Sequence, residues 1–229
     1  MQESYHEFIA IVGKPNVGKS SLMNAVMGEK IAIVSDKPQT TRTRITGVLT
    51  EDAYQYVFLD TPGFHKPRTK LSEHMIDTVK ESMSDVDVIL FMAEAQGEEV
   101  TTAEKQLLEN VRQDGAPAIL VLNKIDLLSD KASLMKRIEQ FSALFPFSAV
   151  VPVSVSEHDG LDRLMAEVRK YAVEGVHFFP DDTLTDQPEK VIAAEIIREK
   201  LLNNLQQEIP HGTAVVIEKM RERENADIL

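Results

Sequence analysis

The sequence predicts an α/β fold with a mostly parallel β-sheet and helices on both of its faces. Short apolar runs rich in β-branched residues recur along the chain, and helix-forming stretches separate them, which is typical of βαβ units. The predicted strands are residues 8–12, 44–50, 54–59, 86–92, 118–122 and 149–153, with 44–50 at an edge of the sheet. The predicted helices are residues 21–27, 71–84, 101–113, 131–144 and 160–173.

Composition and charge narrow the class of protein. The chain has 229 residues, enough for one large domain or one and a half ordinary ones. Of these residues 43% are hydrophobic, so a sizeable core can form. It has no cysteine, which excludes disulfides, thiolate metal sites and cysteine nucleophiles. We expect no transmembrane segment, because no apolar run approaches the roughly 18 residues that a spanning helix needs. We expect no secretory signal, because residues 1–6 show no basic region followed by an apolar core. A net charge of −12 argues against broad electrostatic binding to RNA or anionic lipid.

The first motif is residues 13–20, Gly-Lys-Pro-Asn-Val-Gly-Lys-Ser, between a predicted strand and a predicted helix. It fits the P-loop pattern, in which backbone N–H groups and a helix N-terminus surround a phosphate. We expect Gly13 to turn the chain at positive φ and Gly18 to let a phosphate approach the backbone. Lys19 would bring a positive charge to the β- and γ-phosphates, and Ser20 a hydroxyl to Mg²⁺. The alternative for this motif alone is a glycine-rich turn that matches by chance.

The second motif is residues 60–63, Asp-Thr-Pro-Gly, at the end of the predicted strand 54–59. Ligands of open α/β sheets bind beyond the carboxyl ends of the strands. Asp60 would hold Mg²⁺ through water, and Gly63 would offer its N–H to a γ-phosphate and act as a hinge. The alternative for these residues alone is an ordinary Pro-Gly turn.

The third motif is residues 123–126, Asn-Lys-Ile-Asp, directly after another predicted strand. The Asp126 carboxylate would accept hydrogen bonds from N1–H and N2–H₂ of guanine. Adenine would leave this carboxylate unpaired, which is a strong source of discrimination. Alone, these residues fit a polar strand end equally well.

A fourth and weaker motif, Val-Ser-Val-Ser at residues 153–156, would reach the other side of the base, but by itself it is a small polar loop.

Residues 36–44 form a polar stretch with few apolar side chains, which we expect to be mobile without nucleotide. Thr41, or as an alternative Thr40, would complete the Mg²⁺ ligands when a γ-phosphate is present and would order this stretch. The alternative is an ordinary surface connection.

These motifs together make residues 8–173 resemble a translation-factor-class GTPase with a Ras-like P-loop NTPase fold. The stretches GKPNVGKSSLMNA, QTTRTRI and DTPGFHKP are similar to the Era family in particular. The resemblance implies a GTPase domain followed by a KH RNA-binding domain, with GTP or GDP and Mg²⁺ as ligands. It also implies a role in small ribosomal subunit (30S) assembly and ribosomal RNA maturation, with binding near the 3′ end of small-subunit ribosomal RNA. The resemblance further implies a cytoplasmic protein with peripheral contact to the inner membrane.

The resemblance also implies roles for individual residues. Nucleotide-binding positions are Gly13, Lys14, Pro15, Asn16, Val17, Gly18, Lys19, Ser20, Ser21, Asp60, Gly63, Asn123, Lys124, Asp126, Ser154, Val155 and Ser156. The implied Mg²⁺ ligands are Ser20, Thr41 and Asp60, and the residues implied in hydrolysis are Asn16, Lys19, Thr41 and Gly63. The family usually has Ala at the position of Val155, and we expect only local repacking there because the base contact is made by the backbone.

Phe64 stands where many GTPases have a Gln that orients the attacking water. Its ring has no polar atom, so we expect slow intrinsic hydrolysis that depends on another positive charge. Asn16 resembles the P-loop Asn that helps to bind K⁺ in related GTPases. A potassium ion near the β- and γ-phosphates would stabilise charge as an arginine finger does. The alternative for Asn16 is a residue that only tolerates the turn.

We expect the GTPase domain to span residues 1–174 and a linker with turn-forming residues to span 175–188. A long helix, 189–207, should then present an apolar face, and a strand should follow at 213–218. The expected apolar face consists of Ile192, Ile196, Leu201 and Leu205. This arrangement resembles the N-terminal part of an Era-type KH domain, at residues 189–229.

The C-terminal segment departs from the KH pattern because it has no Gly-x-x-Gly loop to grip a nucleic-acid backbone. Residues 181–229 carry eleven acidic and six basic side chains, a net charge of −5, so no basic groove compensates. We therefore expect a shortened KH-like segment with weakened or lost RNA binding, poor order, and exposed apolar side chains that include Val215 and Ile217.

Two function classes follow from the sequence. The first is an enzyme that acts as a GTP-dependent switch on a 30S precursor. The second is a nucleotide-gated module that binds RNA or protein, in which hydrolysis is incidental. An ATP-using P-loop enzyme is a third alternative.

Overall fold

A computed structural model describes residues 3–35, 40–41, 43–64, 77–79, 81–204 and 214–220. In these parts the strands are β1 (Tyr5–Gly13), β2 (Ile45–Glu51), β3 (Tyr54–Asp60), β4 (Val88–Glu94), β5 (Ala118–Asn123), β6 (Ala149–Pro152) and β7 (Val173–Glu174). The helices are α1 (Lys19–Met27), α2 (Thr102–Asp114), α3 (Lys131–Ser142), α4 (Leu161–Val168) and α5 (Glu189–Asn204). Short 3₁₀ turns cover Ile125–Leu127 and Arg169–Tyr171, and residues 77–79 and 81–83 are also helical.

The strands form one mostly parallel sheet, as the sequence predicts. Its order is β2-β3-β1-β4-β5-β6, and all neighbours from β3 to β6 run parallel. β2 pairs antiparallel with β3 at the end of this order, so the predicted edge strand is confirmed. β7 adds a short antiparallel pair beside the first residues of β1. This topology brings the carboxyl ends of the five parallel strands to one edge of the sheet.

Strand β1 shows how alternating side chains build a core on each face of the sheet. Ile9 belongs to a buried cluster on one face, together with Leu22 of α1. Ala10 belongs to a second cluster on the other face, together with Leu107 of α2 and Phe141 of α3. The expected helices on both faces are therefore confirmed.

Local signals explain where the helices begin and end. The Thr101 hydroxyl accepts from the Glu104 N–H while the Glu104 carboxylate accepts from the Thr101 N–H, so a capping box starts α2. Gly115 ends α2 with a φ of 87°, which favours glycine. Asp130 starts α3 by accepting a 2.7 Å hydrogen bond from the Ser133 N–H.

Some boundaries differ from the sequence prediction. The predicted helix 160–173 ends at Val168 and continues as a 3₁₀ turn to Tyr171, because the chain then pairs with β1 as β7. Half of the predicted helix 71–84 lies outside the described residues, and its described residues 77–79 and 81–83 are helical.

The first half of the predicted linker is fixed to the sheet by one buried side chain. Gln55 on β3 is 0% exposed. Its Oε1 accepts from the N–H groups of Phe178 and Phe179 at 2.8 and 2.9 Å, and its Nε2 donates to the Phe179 carbonyl at 2.9 Å. Both polar atoms of the amide are thus satisfied by backbone, which holds the chain in one position.

The second half of the linker runs along the edge strand β2. The Val48 N–H donates to the Leu184 carbonyl at 2.8 Å, and the Thr185 hydroxyl donates to the Thr46 carbonyl at 2.6 Å. We call residues 176–185 the strap, because they connect α4 to α5 while bonded to β2 and β3.

Helix α5 buries charged side chains where the sequence predicts an apolar face. Arg198 and Glu199 are each 3% exposed, and Leu202 is 2% exposed, whereas Ile196 is 38% exposed. Of the predicted apolar face, Ile192 and Leu201 are half-buried, and the prediction is wrong at Ile196. The buried side is instead set by ion pairs and hydrogen bonds to residues far away in the sequence. Leu205 lies outside the described residues.

The predicted strand 213–218 is also wrong over its described part. Residues 214–217 have no assigned strand pairing, and residue 213 lies outside the described parts. Val215 and Ile217 are half-buried rather than exposed. Val215 lines a small cavity together with Ile45 of β2 and Ile192 of α5. Val216 instead is 81% exposed.

Glu7 is an unusual buried acid in β1. It is 0% exposed, and neither carboxylate oxygen has a hydrogen-bond partner among the described residues. Burial first, and then the nearby Asp87 carboxylate, raise the pKa of Glu7 to about 9. The folded protein therefore keeps a proton that the unfolded chain releases above the ordinary pKa of glutamate. Stability should consequently fall as the pH rises from that ordinary value toward 9.

The substitution Glu7→Gln should remove this pH dependence. We expect the free energy of unfolding of the wild type to fall relative to that of the variant between pH 6 and pH 9, by roughly 3–4 kcal/mol over this range. Denaturant unfolding at several pH values measures this difference. Glu3→Gln, at an exposed position just before β1, is the control. Parallel pH profiles for wild type and Glu7→Gln would contradict the interpretation.

Candidate functional site

A cavity of about 770 Å³ lies at the carboxyl edge of the parallel strands. This is where ligands of α/β sheets bind, and the size suits a small molecule or cofactor. Loops that follow β1, β3, β5 and β6 surround it, together with the chain after α1. It is lined by residues from all of the predicted motifs, namely Pro15, Asn16, Gly18, Lys19, Ser20, Ser21, Thr41, Gly63, Asn123, Lys124, Asp126, Val155 and Ser156.

The remaining predicted site residues lie behind this lining. Val17 and Ser154 are buried at 1% and 2% exposure, and Asp60 is 0% exposed beneath Ser20. The Lys14 side chain points away from the cavity and lies 3.5 Å from the buried Glu104 carboxylate. Glu104 in turn pairs with the buried guanidinium of Arg137 at 3.1 Å, so the P-loop is held by α2 and α3 from behind.

Two glycines of the P-loop are required by close neighbours. Gly18 has φ of 102°, and a Cβ there would lie 2.3 Å from Asn123 Nδ2. At Gly13 a Cβ would lie 2.4 Å from the Met92 carbonyl oxygen on β4. Gly13 is not among the residues with positive φ, so the expectation of a left-handed turn there is wrong. Its glycine is needed because β4 passes too close for any side chain.

Three oxygen-bearing side chains meet beside the P-loop and fit a magnesium ion. The Ser20 hydroxyl donates to Asp60 Oδ2 at 2.6 Å and lies 3.1 Å from the Thr41 hydroxyl. The other carboxylate oxygen, Asp60 Oδ1, is buried with no hydrogen-bond partner among the described residues. Hydroxyl and carboxylate oxygens are ligands that Mg²⁺ prefers, usually together with phosphate and water.

The two buried charges beside this group have shifted pKa values. Burial lowers the pKa of Lys19 to about 8, against the opposing effect of Asp60. Burial raises the pKa of Asp60 to about 6, against the effects of Lys19, Ser20 and the Thr61 N–H. The Lys19 ammonium donates to the Lys14 carbonyl at 2.9 Å. A phosphate for Lys19 and a cation for Asp60 would supply the counter-charges that the protein itself provides only in part.

The residues after Asp60 are packed tightly onto the P-loop. A Cβ on Gly63 would lie 2.6 Å from the backbone of Pro15, so only glycine fits there. The Phe64 N–H donates to the Gly13 carbonyl at 2.9 Å, and the Phe64 side chain is 6% exposed within the core cluster of Ala10. Phe64 therefore points away from the cavity. Asn16 has φ of 64°, a left-handed conformation that asparagine tolerates.

At the other end of the cavity, hydrogen bonds hold the side chains of Asn123 and Asp126 in place. Asn123 Nδ2 donates to the Val17 carbonyl at 2.9 Å, and its Oδ1 accepts from the Val155 N–H at 3.1 Å. The Ser154 hydroxyl donates to Asp126 Oδ1 at 2.6 Å, which orients the carboxylate.

The side chains next to these two residues are also held in place. The Lys124 ammonium pairs with the Glu94 carboxylate at the end of β4. Val155 is 7% exposed and packs in the cluster of Ile9.

Sequence reasoning missed part of the lining, including Lys30, Val34 and Glu199. Lys30 and Val34 follow α1 without a recognisable motif. Glu199 lies on α5, and no local signal connects it to a P-loop about 180 residues earlier in the chain.

No helix in the described parts of the chain is long and apolar enough to cross a membrane. Among the described residues, no group of three or more histidine, aspartate or glutamate side chains could hold a metal ion, so a magnesium site here depends on hydroxyls as well as Asp60.

A Ras-like sheet, a P-loop, an Mg²⁺-compatible group and an Asn-Lys-Ile-Asp motif on one cavity define a P-loop protein of the GTPase class. The sequence profile of the family described as 50S ribosome-binding GTPase matches residues 8–124. GTPase Era of Ruminiclostridium cellulolyticum is 47% identical over 218 residues, which are 95% of this chain and 72% of that protein. GTPase Era of Clostridioides difficile is 47% identical over 222 residues, 97% of this chain and 74% of that protein.

Solved structures agree with the sequence comparison. A structure of Era with MgGDPNP and nucleotides 1506–1542 of 16S ribosomal RNA has a TM-score of 0.91 and 36% identity, and covers 97% of this chain and 75% of that chain. A single-substitution variant of Aquifex aeolicus Era bound to GDP·AlF₄⁻ has a TM-score of 0.90 and 36% identity, with the same coverage. The chain belongs to the Era family of GTPases, and it is a GTP-hydrolysing enzyme.

The substitution Ser154→Ala should weaken guanine-nucleotide binding. It removes the hydrogen bond that orients Asp126, and we expect the Kd for GDP to rise roughly fivefold. Isothermal titration with GDP measures the change, and Ser142→Ala, which removes an exposed hydroxyl at the end of α3 and outside the cavity, is the control. Equal effects of the two substitutions would contradict the role of Ser154.

Proposed function

We propose that this GTPase is a switch protein that acts in small ribosomal subunit assembly and ribosomal RNA maturation. The observation that carries the proposal is the likeness, over 97% of this chain, to an Era structure that holds both MgGDPNP and a 16S ribosomal RNA fragment. The matching family profile is described instead by binding to the 50S subunit. We favour the small subunit because the structural likeness extends through α5, whereas the profile stops at residue 124.

The site residues take the following roles in this proposal. The P-loop and the first turn of α1 bind the phosphates, with Lys19 as their cation. Ser20 and Thr41 ligate Mg²⁺, and Asp60 holds it through water; the ion neutralises charge on the β- and γ-phosphates. Gly63 offers its N–H to the γ-phosphate. Asp126 pairs with guanine, supported by Asn123, Lys124 and the loop Ser154–Ser156. The remaining phosphate-binding positions are Gly13, Lys14, Pro15, Asn16, Val17, Gly18 and Ser21.

Hydrolysis in this proposal lacks a water-orienting side chain after Gly63. Phe64 is packed into the core, so it offers the reaction no polar group. A monovalent cation would supply the missing positive charge. Asn16 lines the cavity beside the P-loop lysine and is our candidate to help bind K⁺.

We expect wild-type GTP turnover to be roughly tenfold faster in potassium than in sodium at equal ionic strength, because K⁺ would stabilise charge in the transition state. Asn16→Asp should lose this difference, since a carboxylate replaces a neutral amide oxygen beside the phosphates. Phosphate release measures both, and Asn203→Asp, on the exposed side of α5, is the control. If wild type and Asn16→Asp both hydrolyse GTP equally in the two salts, the potassium role is wrong.

In this proposal residues 1–174 act as the GTPase domain, 175–188 as the connection, and 189–229 as the start of a KH-like RNA-binding unit. The chain spans 72% of the length of its relative from R. cellulolyticum. The net charge of −5 over residues 181–229 indicates that these residues alone bind RNA weakly.

An RNA of nucleotides 1506–1542 of 16S ribosomal RNA tests the partner. We expect it to bind the GTP-loaded protein and to raise GTP turnover, because a switch enzyme couples the partner to hydrolysis. Binding that needs GTP but leaves turnover unchanged would favour the alternative, a nucleotide-gated binding module. Absence of binding in every nucleotide state would contradict the RNA role of this chain. GDP competition against ATP analogues tests guanine preference in the same assay.

The cytoplasmic location and the peripheral contact with the inner membrane stay predictions from the family resemblance. Co-sedimentation with vesicles of inner-membrane lipids, in GTP and in GDP, tests the contact.

A further inference from the structure

The nucleotide cavity has a wall that comes from outside the GTPase domain. Glu199, on α5, lines it and is 3% exposed. One carboxylate oxygen pairs with the Lys30 ammonium, and the other accepts from the Val34 N–H at 3.0 Å. Burial acts to raise the pKa of Glu199, but the Lys30 charge and the Val34 N–H outweigh it, so the net pKa is lowered. Glu199 is therefore held as a carboxylate against the chain that follows α1.

The neighbouring Arg198 contacts the same region at a second point. Its Nη2 donates to the Thr40 carbonyl, while Glu195 accepts from Arg198 Nε at 2.9 Å and from Nη2 at 2.6 Å. Arg198 is 3% exposed, and its Nη1 is buried without a partner among the described residues. A buried guanidinium with an unused donor contributes little to folding stability, because proteins with apolar side chains of similar volume at such positions are often as stable or more stable.

The position of Thr40 connects this contact to magnesium binding. Thr41 is the next residue, and its hydroxyl lies 3.1 Å from the Ser20 hydroxyl. A hydrogen bond to the Thr40 carbonyl limits rotation of the peptide that leads into Thr41. The Glu199 contact limits the chain at Val34, so α5 contacts the described chain at two points, Val34 and Thr40.

We propose that Arg198 and Glu199 are positioning residues for the binding of Mg²⁺·GTP, which place the Thr41 hydroxyl where it can reach the ion. The proposal rests on the assignment of Thr41 as a magnesium ligand. Thr41 ligates Mg²⁺ when a γ-phosphate is present, so the contacts with α5 raise the affinity for the triphosphate relative to the diphosphate. By linkage, bound Mg²⁺·GTP must stabilise the docking of α5 to the same extent.

The central experiment compares nucleotide affinities of Arg198→Met. We expect its Kd for Mg²⁺·GDPNP to rise roughly tenfold while its Kd for GDP changes less than about twofold, because the Thr40 carbonyl loses a charged hydrogen-bond donor beside Thr41. The Mg²⁺ concentration needed for half-maximal GDPNP binding should rise as well. Lys190→Met, which replaces an exposed cation on the first turn of α5, is the matched control. Equal losses for GDPNP and GDP would make Arg198 a merely structural residue and overturn the proposal.

A double-substitution cycle shows whether Arg198 acts through Thr41. In a Thr41→Ala background, adding Arg198→Met should cause little further loss of GDPNP affinity, whereas additive losses would overturn the proposal. If Thr41→Ala alone leaves GDPNP affinity unchanged, the magnesium assignment in the proposed function fails instead. The two failures are thus distinguishable.

Glu199→Gln provides a second and milder variant. Its amide oxygen can still accept from the Val34 N–H but loses the ion pair with Lys30, so we expect a smaller preference for GDPNP over GDP without unfolding. Hydrogen exchange of the wild type needs no substitution at all. Amides of α5 should exchange more slowly with Mg²⁺·GDPNP than with GDP, and equal exchange in the two states would overturn the coupling.

Discussion

A single amide side chain, that of Asn123, joins the loops of the nucleotide site. It donates to the Val17 carbonyl in the P-loop and accepts from the Val155 N–H in the loop after β6. Gly18 must lack a side chain because the Asn123 amide occupies that space. The buried Asn123 side chain therefore links the phosphate end and the base end of the cavity directly, so a rigid ligand that fits one end is placed correctly at the other.

The parts of this site that the sequence predicts are those built from short segments with fixed spacing. The P-loop and the Asn-Lys-Ile-Asp motif each follow an apolar strand, and parallel strands bring their carboxyl ends together, so position follows from pattern. Gly13 illustrates the limit of such reasoning. The need for glycine there is correct, but its cause is the Met92 carbonyl on a strand that is distant in sequence.

Helix α5 and the strap could not be predicted in the same way. Helical periodicity finds apolar faces, but α5 buries Arg198 and Glu199 against partners 158 to 169 residues away. The strap is fixed largely through backbone groups, such as the Leu184 carbonyl, and these have no side-chain signature. The boundary at residue 174, which rests on turn-forming residues, stays a prediction, and the cavity wall includes Glu199 of α5, which lies beyond it.

The strap also has a consequence for how this protein behaves among copies of itself. β2 is an edge strand, and the free N–H and C=O groups of such a strand can pair with the edge of another molecule. The Leu184 carbonyl accepts from the Val48 N–H, and the Thr185 hydroxyl donates to the Thr46 carbonyl. These backbone groups of the edge strand are therefore already hydrogen-bonded. The strap, which connects α4 to α5, thus also protects the sheet from intermolecular β-pairing and aggregation.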